Sequence, residues 1–321
     1  MPFPQLEPAY PCSVNESKRK QLLGRLASAV GLLIGIAGIA FVVRTIVSKR
    51  DEVSDAFAHL DGVTLIASLA LGLSAMTLIG YQWTRMLVTR GHHAPPRSAM
   101  AWYFAGQLGK YVPGGIWPIV GRAELATRGG VPRTDAYAAT GLSMVTTYLA
   151  AALTICIGSL LSWSYPVIGI LGLIGLTTGF AAFSNSFLRT KALSVLGRIS
   201  PRASALTEPR RLLVLTITHL PAWLLMSLST SVTASAFGAH IGILHMLFIT
   251  SASWLAGFVV VGVPGGIGVR ESVFTALAGT AISPGVAVSL ALASRVVFIA
   301  VDLIGALVAN IVAKTHSSTK A

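Results

Sequence analysis

The sequence predicts an all-α polytopic membrane protein, with about six transmembrane helices and two Pro-Gly-broken re-entrant segments arranged as two inverted repeats. Three observations carry this reading. The hydrophobic fraction is 54% and the charged fraction only 11%, where a soluble domain carries about 25% charged residues. Apolar runs such as Leu26 to Val43, eighteen residues without a charge, approach the roughly 20 residues a bilayer-spanning helix needs. The pentapeptide VPGGI occurs twice, at 112–116 and at 263–267, each time inside an apolar stretch. The ~10-residue alternating strands of a β-barrel are not seen.

The elements follow from apolar runs and their breakers. Residues 1–21 are polar and Pro-containing and read as a disordered tail, with the first helix at about 22–46. Lys49, Arg50, Asp51, Glu52, Asp55 and Asp61 mark a short charged loop. The second helix covers about 62–87, and the first broken segment, centred on Pro113, about 98–128. A third helix follows Pro132 to about 162, SWSYP at 162–166 is a tight turn, and the fourth helix covers about 167–185. A basic stretch from Leu188 to Arg211 precedes the fifth helix at about 212–238. The second broken segment, about 241–280, is centred on Pro264, and the sixth helix runs from Pro284 to about Val312. These form one membrane domain over 22–313, with repeat one at about 22–162, repeat two at about 167–313, and a second tail at 314–321.

The net charge of +13 reads as the positive-inside signal rather than as a nucleic-acid footprint. Of the 24 Lys and Arg, 18 fall in one alternate set of loops and tails, and only Arg44, Lys49 and Arg50 in the opposite set. That asymmetry predicts both termini cytoplasmic, in a plasma membrane. The apolar run after Lys18–Lys20 exceeds the ~7–15-residue core of a signal peptide, so it reads as a retained helix. Cys12 and Cys156 make neither a metal spacing nor a disulfide framework, and no metal or cofactor is expected.

Pro113 and Pro264 are 151 residues apart, and the surrounding elements keep step. The next isolated Pro with a helix behind it comes 19 residues after Pro113, at Pro132, and 20 after Pro264, at Pro284. Each half therefore reads helix, helix, broken segment, helix. Three crossings per half is an odd number, so the second copy starts from the opposite face. Inverted repeats with interrupted helices are typical of secondary transporters, with the site at the repeat interface.

A Pro-Gly-Gly break removes an N–H donor and admits backbone shapes that other residues resist. Pro113, Gly114 and Gly115, and Pro264, Gly265, Gly266 and Gly268, are thus candidate binding positions. New half-helix N-termini at Gly115 and Gly266 would present free N–H groups and partial positive charge to a phosphate or carboxylate. Charges lie close by. Arg270 and Glu271 follow the second break, and Arg295 and Asp302 share a face of the sixth helix at a spacing of seven. Lys110, Arg122 and Glu124 are the counterparts around the first break. Charges in hydrocarbon cost roughly 2.5–3.5 kcal/mol each on insertion scales, so these should face the protein interior and one another. The plainer reading is a set of structural ion pairs, and for Arg122 and Glu124 a place at the membrane interface.

Other motifs are weaker. GGIG at 265–268 lacks the Lys-Ser/Thr ending of a phosphate loop. His92 and His93 read as a solvated pair and His219 as a hydrogen-bonding core residue. Asn15-Glu16-Ser17 matches a glycosylation acceptor in a tail assigned to the cytoplasm. The sequence contains no recognisable nucleophile–base–acid arrangement, so an enzyme is not expected.

PGGIGVRE, Pro264 to Glu271, followed by Arg295, resembles the flippase-like membrane domain of lysylphosphatidylglycerol synthases, and GQLGKYVPGGIWPIVGRAEL, Gly106 to Leu125, fits as well. The resemblance covers roughly 60–312 and implies movement of a lipid between leaflets: an aminoacylated phospholipid in some members, a polyprenyl- or dolichol-linked sugar in others. It also carries over Arg270, Glu271, Arg295 and the Pro-Gly breaks as functional positions. The chain ends soon after the sixth helix, so no synthase domain and no aminoacyl-lipid synthesis are expected, and Trp117-Pro118 looks specific to a subfamily. The expected function is translocation of an anionic phosphate-bearing lipid, the partner being a membrane lipid and no nucleic acid. The alternatives are a non-transporting membrane partner of a cell-envelope glycosyltransferase, or an enzyme acting on lipid headgroups.

Overall fold

The structure, a computed structural model, describes residues 13–58, 60–88, 94–112, 116–197, 208–260 and 263–318. Twelve helices and two short 3-10 turns account for the described chain, and no strand occurs among the described residues. The helices are α1 (Ser13–Ser48), α2 (Arg50–Ala58), α3 (Gly62–Val88), α4 (Pro96–Gln107), α5 (Trp117–Arg128) and α6 (Arg133–Leu161). They continue with α7 (Pro166–Ser184), α8 (Ser186–Gly197), α9 (Pro209–Ser235), α10 (Ile243–Val259), α11 (Val269–Ala278) and α12 (Pro284–Ser318). Five of them are long and apolar enough to cross a membrane, and a sixth span is reached if Leu32–Ser48 of α1 and the bent-off α2 count as one. The protein is therefore an integral, polytopic, all-helical membrane protein.

Helix starts follow the residue types expected of them. Pro occupies the first turn of α4, α5, α7 and α9, where its missing N–H costs nothing. The Asp61 carboxylate accepts from the amides of Val63 at 3.0 Å and Thr64 at 3.3 Å at the head of α3, satisfying donors that the first turn leaves free. The SWSYP turn places Trp163 at φ 55.

Three stretches differ from the sequence reading. Helix α1 begins at Ser13, inside the stretch read as tail, because the straight-chain residues of 16–23 have strong helix propensity; residues 1–12 lie outside the described set. The charged loop is mostly helix α2, bent 81° from α1. Asp51 and Glu52 sit in its first turn, where carboxylates favour a helix, and Glu52 reaches across to accept from the Gly285 amide of α12 at 3.0 Å. The basic stretch opens with α8, whose start is capped by Asn185 Oδ1 accepting from Phe187 and Leu188 at 3.0 and 3.3 Å.

The core is built around α3 and α9, which run antiparallel. The Asp61 amide donates to the Ala236 carbonyl near one end, and Gln82 donates to the Thr218 carbonyl near the other. Between them, Ser68 Oγ lies 2.8 Å from the Ser229 carbonyl and 2.7 Å from Thr233 Oγ1, and Ser229 Oγ returns a bond to the Ser68 carbonyl at 2.8 Å. Small hydroxyl residues let two helices approach closely and bond across the gap, as membrane helices do. The other helices wrap this pair in matched order. In the first half α4 packs on α5 and α5 on α6; in the second α10 packs on α11 and α11 on α12. The halves exchange contacts the same way, α4 on α12 and α10 on α6. The two breaks touch at the centre: a Cβ on Gly265 would stand 3.4 Å from the Lys110 carbonyl.

Candidate functional site

The first half-helix ends in a 3-10 turn, Leu108–Tyr111, that delivers Lys110 and Tyr111 inward. Pro113, Gly114 and Gly115 lie outside the described residues. In the second break Pro264–Gly266 form another 3-10 turn with Gly265 at φ 55 and Gly266 at φ 68, a region that L side chains resist. Gly266 also lies against α10, where an added Cβ would stand 2.6 Å from Gly257 Cα. This turn aims the Gly265 carbonyl at α12.

Helix α12 holds both breaks. Lys110 Nζ stands 2.6 Å from Asp302 Oδ2, and the Tyr111 hydroxyl donates to the same oxygen at 2.5 Å. Two turns earlier, Arg295 Nη1 donates to the Gly265 carbonyl at 2.7 Å and lies 3.3 Å from Glu271 Oε1. Arg295 and Asp302 face the same interior, as their spacing predicts, but each takes its partner from a break rather than from the other.

Arg270 has a different environment. It is buried, 9% exposed, and its guanidinium lies over the Trp254 ring at 4.6 Å and the Phe298 ring at 5.4 Å. Among the described residues it makes neither a hydrogen bond nor an ion pair within 4 Å. Aromatic faces stabilise a cation without neutralising it. Lys110 also lies over Trp254, at 5.4 Å. A cavity of ≈ 20 Å³ opens between these groups, room for about one water. Lys110 and Tyr111 line it from the first break, Trp254, Gly257 and Phe258 from α10, and Gly265 from the second break. Arg270 of α11 and Arg295 and Phe298 of α12 complete it.

One expectation is corrected. The second half-helix starts at Val269 rather than Gly266, because the turn and Gly268 at φ 81 intervene. Its N-terminus is not free for an anion. Glu271 Oε2 accepts from the Gly268 amide at 2.7 Å, and α1 covers the outside, where a Cβ on Gly38 would stand 2.5 Å from the Gly268 carbonyl carbon. Donors for an anion therefore come from side chains. In the first half, Arg122 and Glu124 lie apart from the cavity. Arg122 is buried but turned into its own hairpin: Nε donates to the Pro118 carbonyl and Nη2 to Gln107 Oε1, both at 3.1 Å, with the Tyr103 face 4.9 Å away. Glu124 takes the Tyr137 hydroxyl and Arg133 at 2.7 Å each near the exposed end of α5 and α6, consistent with a place at the membrane interface. Neither lines the cavity.

Lys110, Gly265, Arg270, Glu271, Arg295 and Asp302 are thus brought together, with Pro264, Gly266 and Gly268 shaping the turn. Tyr111, Trp254 and Phe298 are site residues that sequence reasoning missed; the adjacency of Tyr111 to Lys110 was the one available hint. His219 is a core residue, its ring nitrogen Nδ1 2.7 Å from the Leu215 carbonyl, and His92 and His93 lie outside the described residues. No group of three metal-ligating side chains occurs among the described residues.

Fold and site together define a polytopic membrane domain with a buried cationic cluster where two broken helices meet. Residues 28–305 match the family described as the lysylphosphatidylglycerol synthase TM region, and the chain belongs to that family. A comparison with curated proteins yields no match.

Proposed function

We propose that the protein is a lipid translocase that moves an anionic phosphate-bearing lipid between leaflets. Arg270 carries this reading: a buried guanidinium lining the cavity beside Lys110 and Arg295, with no acceptor among the described residues. A guanidinium fork matches two phosphate oxygens. Family membership supports a membrane domain associated with lipid modification or flipping. The substrate class is a modified phospholipid or a polyprenyl-phosphate-linked sugar, supplied or used by a lipid-modifying enzyme or glycosyltransferase, and the domain itself makes no bond. Its acyl or isoprenoid tails stay in lipid while the headgroup passes the cluster.

The inverted repeat belongs to the same proposal. Antiparallel α3 and α9 and the reciprocal packing of α4 on α12 and α10 on α6 are what two halves of opposite orientation would give, and such halves move by rocking about a shared site. A phosphate is several times larger than a water, so the ≈ 20 Å³ cavity fits a closed form that opens when the breaks part. Both termini are assigned to the cytoplasm and the protein to the plasma membrane, on the distribution of Lys and Arg.

The test is reconstitution. Purified protein in proteoliposomes should expose fluorescent anionic lipids of the inner leaflet to an impermeant quencher faster than protein-free vesicles do. Equal rates for every phosphate lipid tried would refute the reading and favour the non-transporting partner.

A further inference from the structure

Among the described residues, the charges at the cavity are paired except for one. Lys110 is matched by Asp302 at 2.6 Å and Arg295 by Glu271 at 3.3 Å, and each pair sums to zero. Arg270 is left with only the faces of Trp254 and Phe298. The other buried guanidinium nearby, Arg122, points away and spends its donors on Pro118 and Gln107. The cavity therefore carries one uncompensated positive charge in surroundings of low dielectric, where an unbalanced charge is costly in either direction.

From this balance, resting on the translocase reading, we infer that the cavity selects a lipid phosphodiester with a single negative charge over a phosphomonoester or a diphosphate. One negative charge brings the cluster to neutrality. A second would face two carboxylates, and among the described residues each of these already has an oxygen without a hydrogen-bond donor: Glu271 Oε1, which Arg295 approaches only as an ion pair at 3.3 Å, and Asp302 Oδ1. A diester also presents two non-bridging oxygens, the number that one guanidinium fork engages. Phosphatidylglycerol and polyprenyl monophosphoryl sugars carry this group, whereas phosphatidic acid and polyprenyl diphosphoryl sugars do not.

Glu271 sets the balance. Glu271→Gln keeps an oxygen for the Gly268 amide and removes the charge opposite Arg295. The cluster then has two uncompensated guanidiniums and should accept a doubly charged headgroup.

The experiment compares four fluorescent probes in proteoliposomes at pH 8: phosphatidylglycerol, phosphatidic acid, a polyprenyl monophosphoryl hexose and a polyprenyl diphosphoryl hexose. The wild-type protein should move a diester about tenfold faster than its doubly charged counterpart, the ratio that ~1.4 kcal/mol of discrimination gives. Whether the phosphatidylglycerol arm or the polyprenyl arm carries the activity separates the two sources of the diester. Glu271→Gln should lower the ratio severalfold. If the wild type moves phosphatidic acid or the diphosphate as fast as the diesters, the inference is overturned while translocation stands. If it moves none of the four, the translocase reading fails and this inference with it. An unchanged ratio in folded Glu271→Gln would also overturn the charge-balance argument. Should that variant not fold, the wild-type ratio alone decides.

Discussion

Lys110 and Asp302 meet at 2.6 Å across the two halves of the chain, and the Tyr111 hydroxyl shares the same carboxylate oxygen. This contact ties the first break to α12, which Arg295 ties to the second through the Gly265 carbonyl. Removing one partner of a buried ion pair leaves an uncompensated charge, at a cost of about 3–5 kcal/mol. Lys110→Met and Asp302→Asn should each lower the detergent-solubilised protein's melting temperature, and the double variant should lose less than the sum. Thermal unfolding in a double-mutant cycle measures this; additive losses would mean the two groups do not interact.

The second break depends on its glycines. Ala at 266 would hold a left-handed φ of 68 and stand 2.6 Å from the Gly257 backbone. The conformation alone costs about 1–2 kcal/mol, so Gly266→Ala should destabilise. Gly141→Ala is the opposite case: its Cβ meets nothing within 4 Å on helix α6, and Ala is the better helix former by up to about 1 kcal/mol. The two melting curves should shift in opposite directions.

The α2 hook titrates. Glu52 is held below its ordinary value near 4.5 by hydrogen bonds from Lys49, from Ser283 and from the Gly285 amide. A depressed carboxyl contributes stability that is fully present above the free value and lost as pH falls through the lowered one. The contact between α2 and α12 should therefore hold at neutral pH and loosen below about pH 4.5. A fluorophore pair on α2 and the start of α12 should separate in that window, and Glu52→Gln should remove the dependence. Separation at neutral pH would contradict the assignment.

Orientation is checked with single cysteines in a background lacking Cys12 and Cys156. Thr190 on α8 and His240 before α10 are both exposed. An impermeant thiol reagent applied to intact cells should label His240→Cys and spare Thr190→Cys. The reverse pattern would invert the topology.

The spans and both breaks were legible in the sequence because apolar length and the VPGGI repeat are one-dimensional signals. Asp302 and Arg295 were legible because charges in an apolar helix must face protein. The short helices were not: α2 is fixed by contacts far away in the chain, such as Glu52 to Gly285 and Phe57 against Phe237. The closed N-terminus of α11 was hidden for a similar reason, since Gly38 and Gly268 meet only in three dimensions. Trp254 and Phe298 escaped because a ring stacked on a guanidinium and a ring facing lipid look alike in an apolar helix. The surroundings of Arg122 were not legible: its partners Gln107 and Tyr103 lie 15 and 19 residues upstream on the other arm of the hairpin, beyond any local pattern.

The most direct measurement is lipid translocation by Arg270→Lys. The variant keeps the charge but loses the planar fork and its stacking on Trp254 and Phe298. Hydrogen bonds to charged groups contribute about 1.5–3 kcal/mol, so transport of a phosphate lipid in proteoliposomes should fall tenfold or more, with the melting temperature little changed. Movement at the wild-type rate would contradict the account, leaving Arg270 a structural cation and the cluster a set of ion pairs.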